Sequence, residues 1–381
     1  MRKVFLVIGN LTILSLALLQ AEVGSYRCFL INCNVILPET TLVSIVLSHF
    51  VHKTLPVMAA TITELLSIRE ANPSQFETVL NPEKIGNAVN HVYGGNTLGV
   101  AIIAAQKTVP SNFFLYSALG NFLGPASKDR RLQCSVRSLR TTKAFATRHV
   151  EVHQTQPNGG NRPCLFLTAD FQTAEAGSLL TYSRPPRLSY SSVNDCPTVS
   201  ENRQNLLARN FATEETVSAQ KEIYGLIERF FDCRACPEGV LSQNLPSLSK
   251  TSSPTTQDHL PLPAKTSADY FRSKRPLQTP AENVSALAFM LDMSLTFLPL
   301  VHSGQSLVDD VSALLSLDFA FRVFTNDVDL NAWHLRELST VAGGEGRTYT
   351  EAQVWDGSGR MVCNMTQQSI LRPKSKETAK I

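Results

Sequence analysis

Only eight of the 381 residues are cysteine, and they are scattered. Disulfide scaffolds concentrate cysteine in short chains, so this fold must rest on packing. Cys233 and Cys236 form a CxxC, but no second CxxC completes a four-ligand set, and structural zinc is not expected. The eight histidines are dispersed as well; His149 and His153, four apart, read as positions on a strand running into the following loop. Charge of one sign is not in excess. With 35 basic residues against 32 acidic, the net charge of +3 gives too weak a field for a dedicated nucleic-acid binder. There is no G-x-S-x-G elbow, which disfavours a serine nucleophile on an α/β-hydrolase fold. At 43% hydrophobic and 18% charged, the chain lacks the uniform apolarity of a polytopic membrane protein yet has enough to build cores. Its length suits two domains with linkers and tails.

At the amino terminus, Met1-Arg2-Lys3 precedes an apolar run from Val4 to Leu19, with small residues at Ala21 and Gly24. This is the pattern of a secretory signal. A second apolar stretch, 41–50, leads to Met58, after which the sequence has ordinary soluble character. Residues 1–57 are therefore expected to be an N-terminal extension, signal-like or dispensable.

Beyond residue 81 an order appears twice: an apolar helix, then strands. The first helix is expected over 94–106, with almost no polar face after Thr97, so it must be buried all round. Strands are expected at 113–117, 132–139, 145–153 and 164–171, separated by turns such as Gln156-Pro157-Asn158-Gly159-Gly160. In the second half the helix is expected over 285–293, after a polar cap region at Glu282-Asn283. Strands follow at 311–322, 333–339, 347–355 and 361–365. Asn96 to Gln172 and Asp292 to Gln367 span 76 and 75 positions, which suggests a repeat. The expected fold class is α+β, each half an antiparallel sheet wrapped around one apolar helix. The expected units are 58–182, a linker 183–228 with an amphipathic helix from 214, 229–373, and a tail 374–381. The Ser/Pro-rich stretch 241–268 is expected to be a mobile loop.

Asp292 is the residue that carries most chemical information. It lies within a helix that must be buried, where an ionised carboxylate is costly unless hydrogen-bonded and where desolvation raises its pKa. Such a group is either a functional acid or base, or an Asp at a helix turn that caps a neighbouring loop. Ser316, in a strand-like segment, and Gln367, at the end of the last strand, are neutral hydrogen-bonding groups able to hold a water. Alone each reads as structural; with Asp292 they make a candidate set.

Taken in order, Tyr93-Gly94-Gly95-Asn96-Thr97-Leu98-Gly99, Asn121-Phe122-Leu123-Gly124-Pro125, Phe145-Ala146-Thr147-Arg148, Leu167-Thr168-Ala169-Asp170-Phe171-Gln172, Ala286-Leu287-Ala288-Phe289-Met290-Leu291-Asp292, Ser316-Leu317-Asp318, Trp333 and Thr366-Gln367 resemble the acyl-CoA thioesterase II family. The resemblance covers roughly residues 60 to 373. It implies a tandem of two hot-dog folds and a water-binding catalytic triad of Asp292, Ser316 and Gln367. The sequence departs from the family pattern at Asn96, where Gln is usual, at Phe319 and Asn121, where His is usual, and near Thr142-Lys143, where an Arg is common. These departures bear on CoA contacts and acyl selectivity.

The implied activity is hydrolysis of fatty acyl-CoA, or of a CoA-bound biosynthetic intermediate, by general-base activation of water. Oxyanion donors are expected at a helix N-terminus, either 283–285 or 94–97. Two alternatives are a double hot-dog enoyl-CoA hydratase or dehydratase, which would pair Asp with His, and a non-catalytic acyl-CoA binding protein. No cofactor or metal is expected. The expected partners are the acyl-CoA substrate, further copies of the chain in a homo-oligomer and, at the C-terminal tail, a peroxisomal import receptor. The tripeptide Ala379-Lys380-Ile381 is similar to the Ser-Lys-Leu address, so a peroxisomal location is expected, with the secretory pathway or a membrane as the alternative if residues 1–24 act as a signal or anchor.

Overall fold

The computed structural model describes residues 58–86, 91–245 and 254–374 and, ahead of them, the backbone of 7–8, 11–23, 26–36 and 42–49. Met1–Met58 cluster as a separate unit, in which the backbone strands Val7–Ile8, Leu11–Val23, Tyr26–Ile36 and Leu42–His49 pair antiparallel in sequence order. The basic start at Met1-Arg2-Lys3 and the tail after Lys374 lie outside the described residues.

The second unit holds two long apolar helices, α1 (Gly94–Gln106) and α4 (Pro280–Leu291). The first forms where its apolar run predicts. The second starts earlier than the expected 285, because Thr279 is its N-cap. The Thr279 side chain accepts from Glu282 N, Glu282 reaches back to the Thr279 N–H, and Pro280 takes the first helical position, where its missing N–H costs nothing. The polar region expected to precede the helix is therefore its first turn.

The strands are β1 (Ile68–Asn72), β2 (Gln75–Thr78), β3 (Phe113–Phe122), β4 (Gln133–Thr141), β5 (Phe145–Thr155) and β6 (Asn161–Thr173) in the first half. In the second half they are β7 (Phe231–Ala235), β8 (Thr266–Ser273), β9 (Val311–Val323), β10 (His334–Gly344), β11 (Arg347–Trp355) and β12 (Met361–Pro373). They join in a 12-stranded antiparallel sheet ordered β7-β8-β10-β11-β12-β9-β3-β6-β5-β4-β2-β1. The seam between halves is β3 against β9, where Asn121 pairs with Asp318, Gly120 with Phe319 and Ala118 with Phe321. One continuous core takes in both helices and the inward residues of the sheet, among them Leu98, Ile102, Leu165, Phe171, Phe289 and Phe321. This is a double hot-dog fold.

The helices run antiparallel and close together. A Cβ on Gly95 would lie 2.7 Å from the carbonyl oxygen of Phe289, and one on Gly99 would lie 3.3 Å from that of Ser285. Glycine at these positions lets the two backbones meet, and it sets the N-terminus of α1 against the C-terminus of α4.

Between the halves, residues 184–191 run over the outer face of the second half. Glu337, buried there, accepts from Arg187 N and the Tyr190 hydroxyl, each at 2.8 Å, and Trp355 Nε1 donates to Arg184 O at 2.9 Å. Helix α2 (Val199–Ala208), with a Thr198–Glu201 capping box, lies in the linker ahead of the amphipathic helix expected from 214. Helix α3 (Glu214–Phe230) follows its amphipathic pattern. Residues 241–268, expected as a mobile loop, are structured on both sides of 246–253, which lie outside the described residues. Val240–Gln243 is helical, Leu262–Ala264 is a 3₁₀ turn and β8 begins at Thr266. The physical reason is Gln257, buried, whose amide donates to Glu238 O at 2.7 Å and accepts from Thr266 N at 2.7 Å.

The near-equal intervals of 76 and 75 positions do not mark equivalent residues. Asn96 sits in the first turn of α1, whereas Asp292 caps the C-terminal end of α4. The second half carries two short helical segments between helix and strand, Leu298–Ser303 (α5) and Leu307–Asp310 (α6), which lengthen that connection.

Candidate active site

Asp292 is the C-cap of α4 and is only 6% exposed. The antiparallel packing aims its carboxylate at the N-terminus of α1: a Cβ on Gly94 would sit 2.7 Å from Asp292 Oδ2, and the Gly95 N–H faces the carboxylate. Gln367 Nε2 donates to Asp292 Oδ1 at 2.8 Å. Burial pushes the Asp292 pKa up to about 6, against the lowering by the Gln367 amide and the Gly95 N–H. Two hydrogen bonds and a helix N-terminus thus fail to offset the loss of water, and the carboxyl stays well above the usual carboxylate range.

Gln367 comes from β12, whose residues Met365, Gln367 and Ser369 point inward, and it is fully buried. Ser316 reaches the same side through an irregularity in β9. The register with β12 shifts between Ser316 and Asp318, so that Ser316 faces Ser369, Asp318 faces Gln368 and Leu317 is the extra residue. Phe319 is inward and lies three positions after Ser316. In a regular strand that odd interval would turn Ser316 outward; the bulge restores it to the inner face. The Asp318 carboxylate accepts from Gln368 N at 3.1 Å and ties the bulge down.

Asp292 and Gln367 are in direct contact, whereas Ser316 joins them through Thr296. The Thr296 hydroxyl lies 3.0 Å from Ser316 Oγ and 3.0 Å from Gln367 Oε1. Sequence reading overlooked Thr296. The signal was available, because Thr296 is a hydroxyl in the apolar run Leu295-Thr296-Phe297-Leu298, the same kind of exception that marks Asp292.

Sequence reading also overlooked the residues that hold the Asp292 turn. Arg336, 1% exposed on β10, donates from Nη1 to the carbonyls of Met290 and Met293, at 3.2 and 3.1 Å, and pairs with Asp269 through Nε and Nη2 at 2.9 and 2.6 Å. A cation therefore closes the negative end of α4 just beside Asp292. The Tyr93 hydroxyl donates to Phe289 O at 2.6 Å, and the Tyr224 hydroxyl is 3.2 Å from Ser294 Oγ.

Of the two helix ends considered for oxyanion donors, only 94–97 lies beside Asp292. Asn283 is nine residues back along α4, about 14 Å away at 1.5 Å per residue. Its amide is occupied by Thr279 O and Leu330 N, at 3.0 and 2.8 Å. Among the departures, Asn96 is bound to the backbone of Glu83, donating to its carbonyl at 2.9 Å, and Phe319 packs on Phe122 with ring centroids 5.4 Å apart. His149 and His153 both lie on β5. Cys236 has Cys196 of the linker as a buried neighbour, with Sγ atoms 4.0 Å apart. Among the described residues no cluster of His, Cys, Asp and Glu is placed to hold a metal ion.

The family model of the acyl-CoA thioesterase N-terminal domain matches residues 82–172, and that of the acyl-CoA thioesterase C-terminal domain matches 232–371; together they span more than half of the chain. Acyl-CoA thioesterase 2 of Haemophilus influenzae is 23% identical over 286 residues, covering 74% of this chain and 87% of that protein. Among solved structures, the acyl-CoA thioesterase II TesB2 of Mycobacterium marinum superposes with a TM-score of 0.58 at 20% identity, covering 82% of this chain and 98% of the other. A conserved hot-dog protein of unknown function from Alicyclobacillus acidocaldarius gives 0.57 at 14% identity, covering 83% and 99%. These likenesses support the fold, and the two domain matches, in order along one chain, place it in the acyl-CoA thioesterase II family as an acyl-CoA hydrolase.

Proposed function

We propose that the chain hydrolyses acyl-CoA with Asp292 as general base, and with Ser316 and Gln367 holding the attacking water. The observation that carries this reading is the buried Asp292 carboxylate, hydrogen-bonded by Gln367 and facing the N-terminus of α1. A base needs a pKa near the working pH, and burial provides it. The water oxygen attacks the thioester carbonyl carbon while Asp292 takes one of its protons. The tetrahedral oxyanion then collapses, the C–S bond breaks, and the CoA thiolate takes up the proton held by Asp292, leaving as free thiol beside the acid and restoring the carboxylate. The Gly95 N–H is taken by Asp292, so the oxyanion is stabilised by the backbone N–H of Gly94, unbonded within α1 because it opens the helix. No covalent acyl-enzyme is needed.

The substrate is a fatty acyl-CoA or a CoA-bound biosynthetic intermediate. A thiol-release profile over acyl-CoAs of increasing length, with the Asp292→Asn protein as control, tests this. Turnover of a folded Asp292→Asn protein at the wild-type rate overturns the assignment. The location proposed is the peroxisome, supported by the Ala379-Lys380-Ile381 tail and by the intracellular supply of acyl-CoA. With a tag inserted at residues 250–256 and both termini free, deleting the last three residues is expected to abolish a punctate matrix signal; a secretory pattern that ignores the deletion overturns it.

A further inference from the structure

We propose that Thr296 is a positioning residue of the hydrolytic site, fixing the direction in which Ser316 and Gln367 offer their hydrogens. The inference rests on the reading of Asp292, Ser316 and Gln367 given above and adds a member that no sequence motif supplies. Its basis is the count of donors and acceptors. Gln367 turns its Nε2 to Asp292, 2.8 Å away, so its Oε1 faces Thr296 at 3.0 Å. An amide oxygen only accepts, so the Thr296 hydroxyl must donate to it. A hydroxyl has one hydrogen. In the remaining contact, 3.0 Å between Thr296 and Ser316, Ser316 is therefore the donor. The chain of donation runs Ser316 to Thr296 to Gln367 to Asp292.

That polarity has a consequence for the water. Ser316, its hydrogen spent on Thr296, can only accept from any further neighbour. A water between Ser316 and Asp292 then directs one hydrogen to the Ser316 oxygen and the other to the carboxylate, leaving a lone pair free for the thioester carbon. Without Thr296 the Ser316 hydroxyl is free to turn its hydrogen toward the water and compete for that lone pair. Gln367 Oε1, in a side chain with no solvent exposure, also loses its donor. Thr296 is built for the task by its position on the turn four residues after Asp292, a turn closed by Leu298 N on Ser294 O at 3.0 Å. It touches neither the water nor the substrate in this scheme and acts through Ser316 and Gln367.

The test uses the full chain and a thiol-release assay with an acyl-CoA, comparing wild type, Thr296→Val, Thr296→Ser and Asp292→Asn. Thr296→Val keeps the shape and removes the hydroxyl. It is expected to lower kcat on the order of 10- to 100-fold with KM changed less than about twofold, and Thr296→Ser is expected to restore kcat to within a few-fold of wild type. A Val variant that turns over within about twofold of wild type, or a Ser variant as impaired as the Val variant, overturns the proposal. Should the Val protein not fold, Thr296→Ala is judged by the same numbers. An active Asp292→Asn protein would defeat the general-base reading and this inference with it, whereas an inactive Asp292→Asn beside a normal Thr296→Val defeats this inference alone.

Discussion

Asp292 is held in a state that stability alone would not favour. Its pKa of about 6 exceeds the ordinary value of 3.8, so folding favours the protonated form. The stability tied to this group is fully present below pH 3.8 and is lost as pH rises through 6; at pH 8 the buried charge costs up to about 3 kcal/mol. Two outcomes follow for Asp292→Asn. Turnover is expected to fall by roughly 10²–10⁴-fold, because the base is gone. The melting temperature at pH 8 is expected to rise, while at pH 4 it should differ little, and melting curves at the two pH values check this. For the wild type, kcat/KM is expected to rise with pH through an apparent pKa near 6, since the base must be ionised; a profile flat from pH 5 to 8 would defeat the assignment. Asp292 was legible in sequence because it is a polar exception in an apolar run, and Gln367 because it closes the last expected strand and matches a family motif. Thr296 stood out only as a hydroxyl in an apolar run and Arg336 not at all, because the roles of both consist of contacts with residues distant along the chain.

Helices and strands place these residues through features that periodicity does not show. The bulge at Leu317 decides the face of Ser316, and it depends on pairing with β12 rather than on the local pattern. Strands β1, β2, β7 and β8, the outer strands of each half, escaped sequence reading for a similar reason. They are short, or they follow polar stretches, and they become strands by pairing at the sheet edge. Helix α4 ends at Asp292 against Arg336, whose charge is paired with Asp269 and almost fully buried. Removing one partner leaves the other charge and two carbonyls unsatisfied. Arg336→Met is therefore expected to destabilise the protein by about 3–5 kcal/mol. Adding Asp269→Leu should recover part of that loss, since a buried pair replaced by apolar groups is often near neutral. Urea unfolding of the single and double variants measures both quantities. A single variant within 1 kcal/mol of wild type would mean that α4 does not depend on this cap.

At the scale of the whole molecule, both halves of the double hot-dog arise from residues after Met58, and Met1–Met58 form a unit of their own. Protein begun at Met58 is expected to keep its melting temperature and its turnover; an insoluble or inactive truncated chain would make the extension an integral part of the enzyme. The helix-then-strands order of each half could be read from the chain, because apolar runs of helical length and alternating strands are local patterns fixed by burial of one side of a sheet and all sides of a helix. Family motifs, also local, named the acid and the amide. What only the tertiary structure decided is which parts meet. The two halves meet along β3 and β9, and α1 and α4 pack antiparallel through Gly95 and Gly99, so the N-terminus that faces Asp292 belongs to the other half of the chain. The equal intervals that suggested a repeat joined unlike ends of the two helices, since spacing along a chain carries no record of insertions between elements. Backbone approach, strand register and the direction of a hydroxyl hydrogen depend on neighbours far away in sequence, and those neighbours are chosen by the packing of the core as a whole.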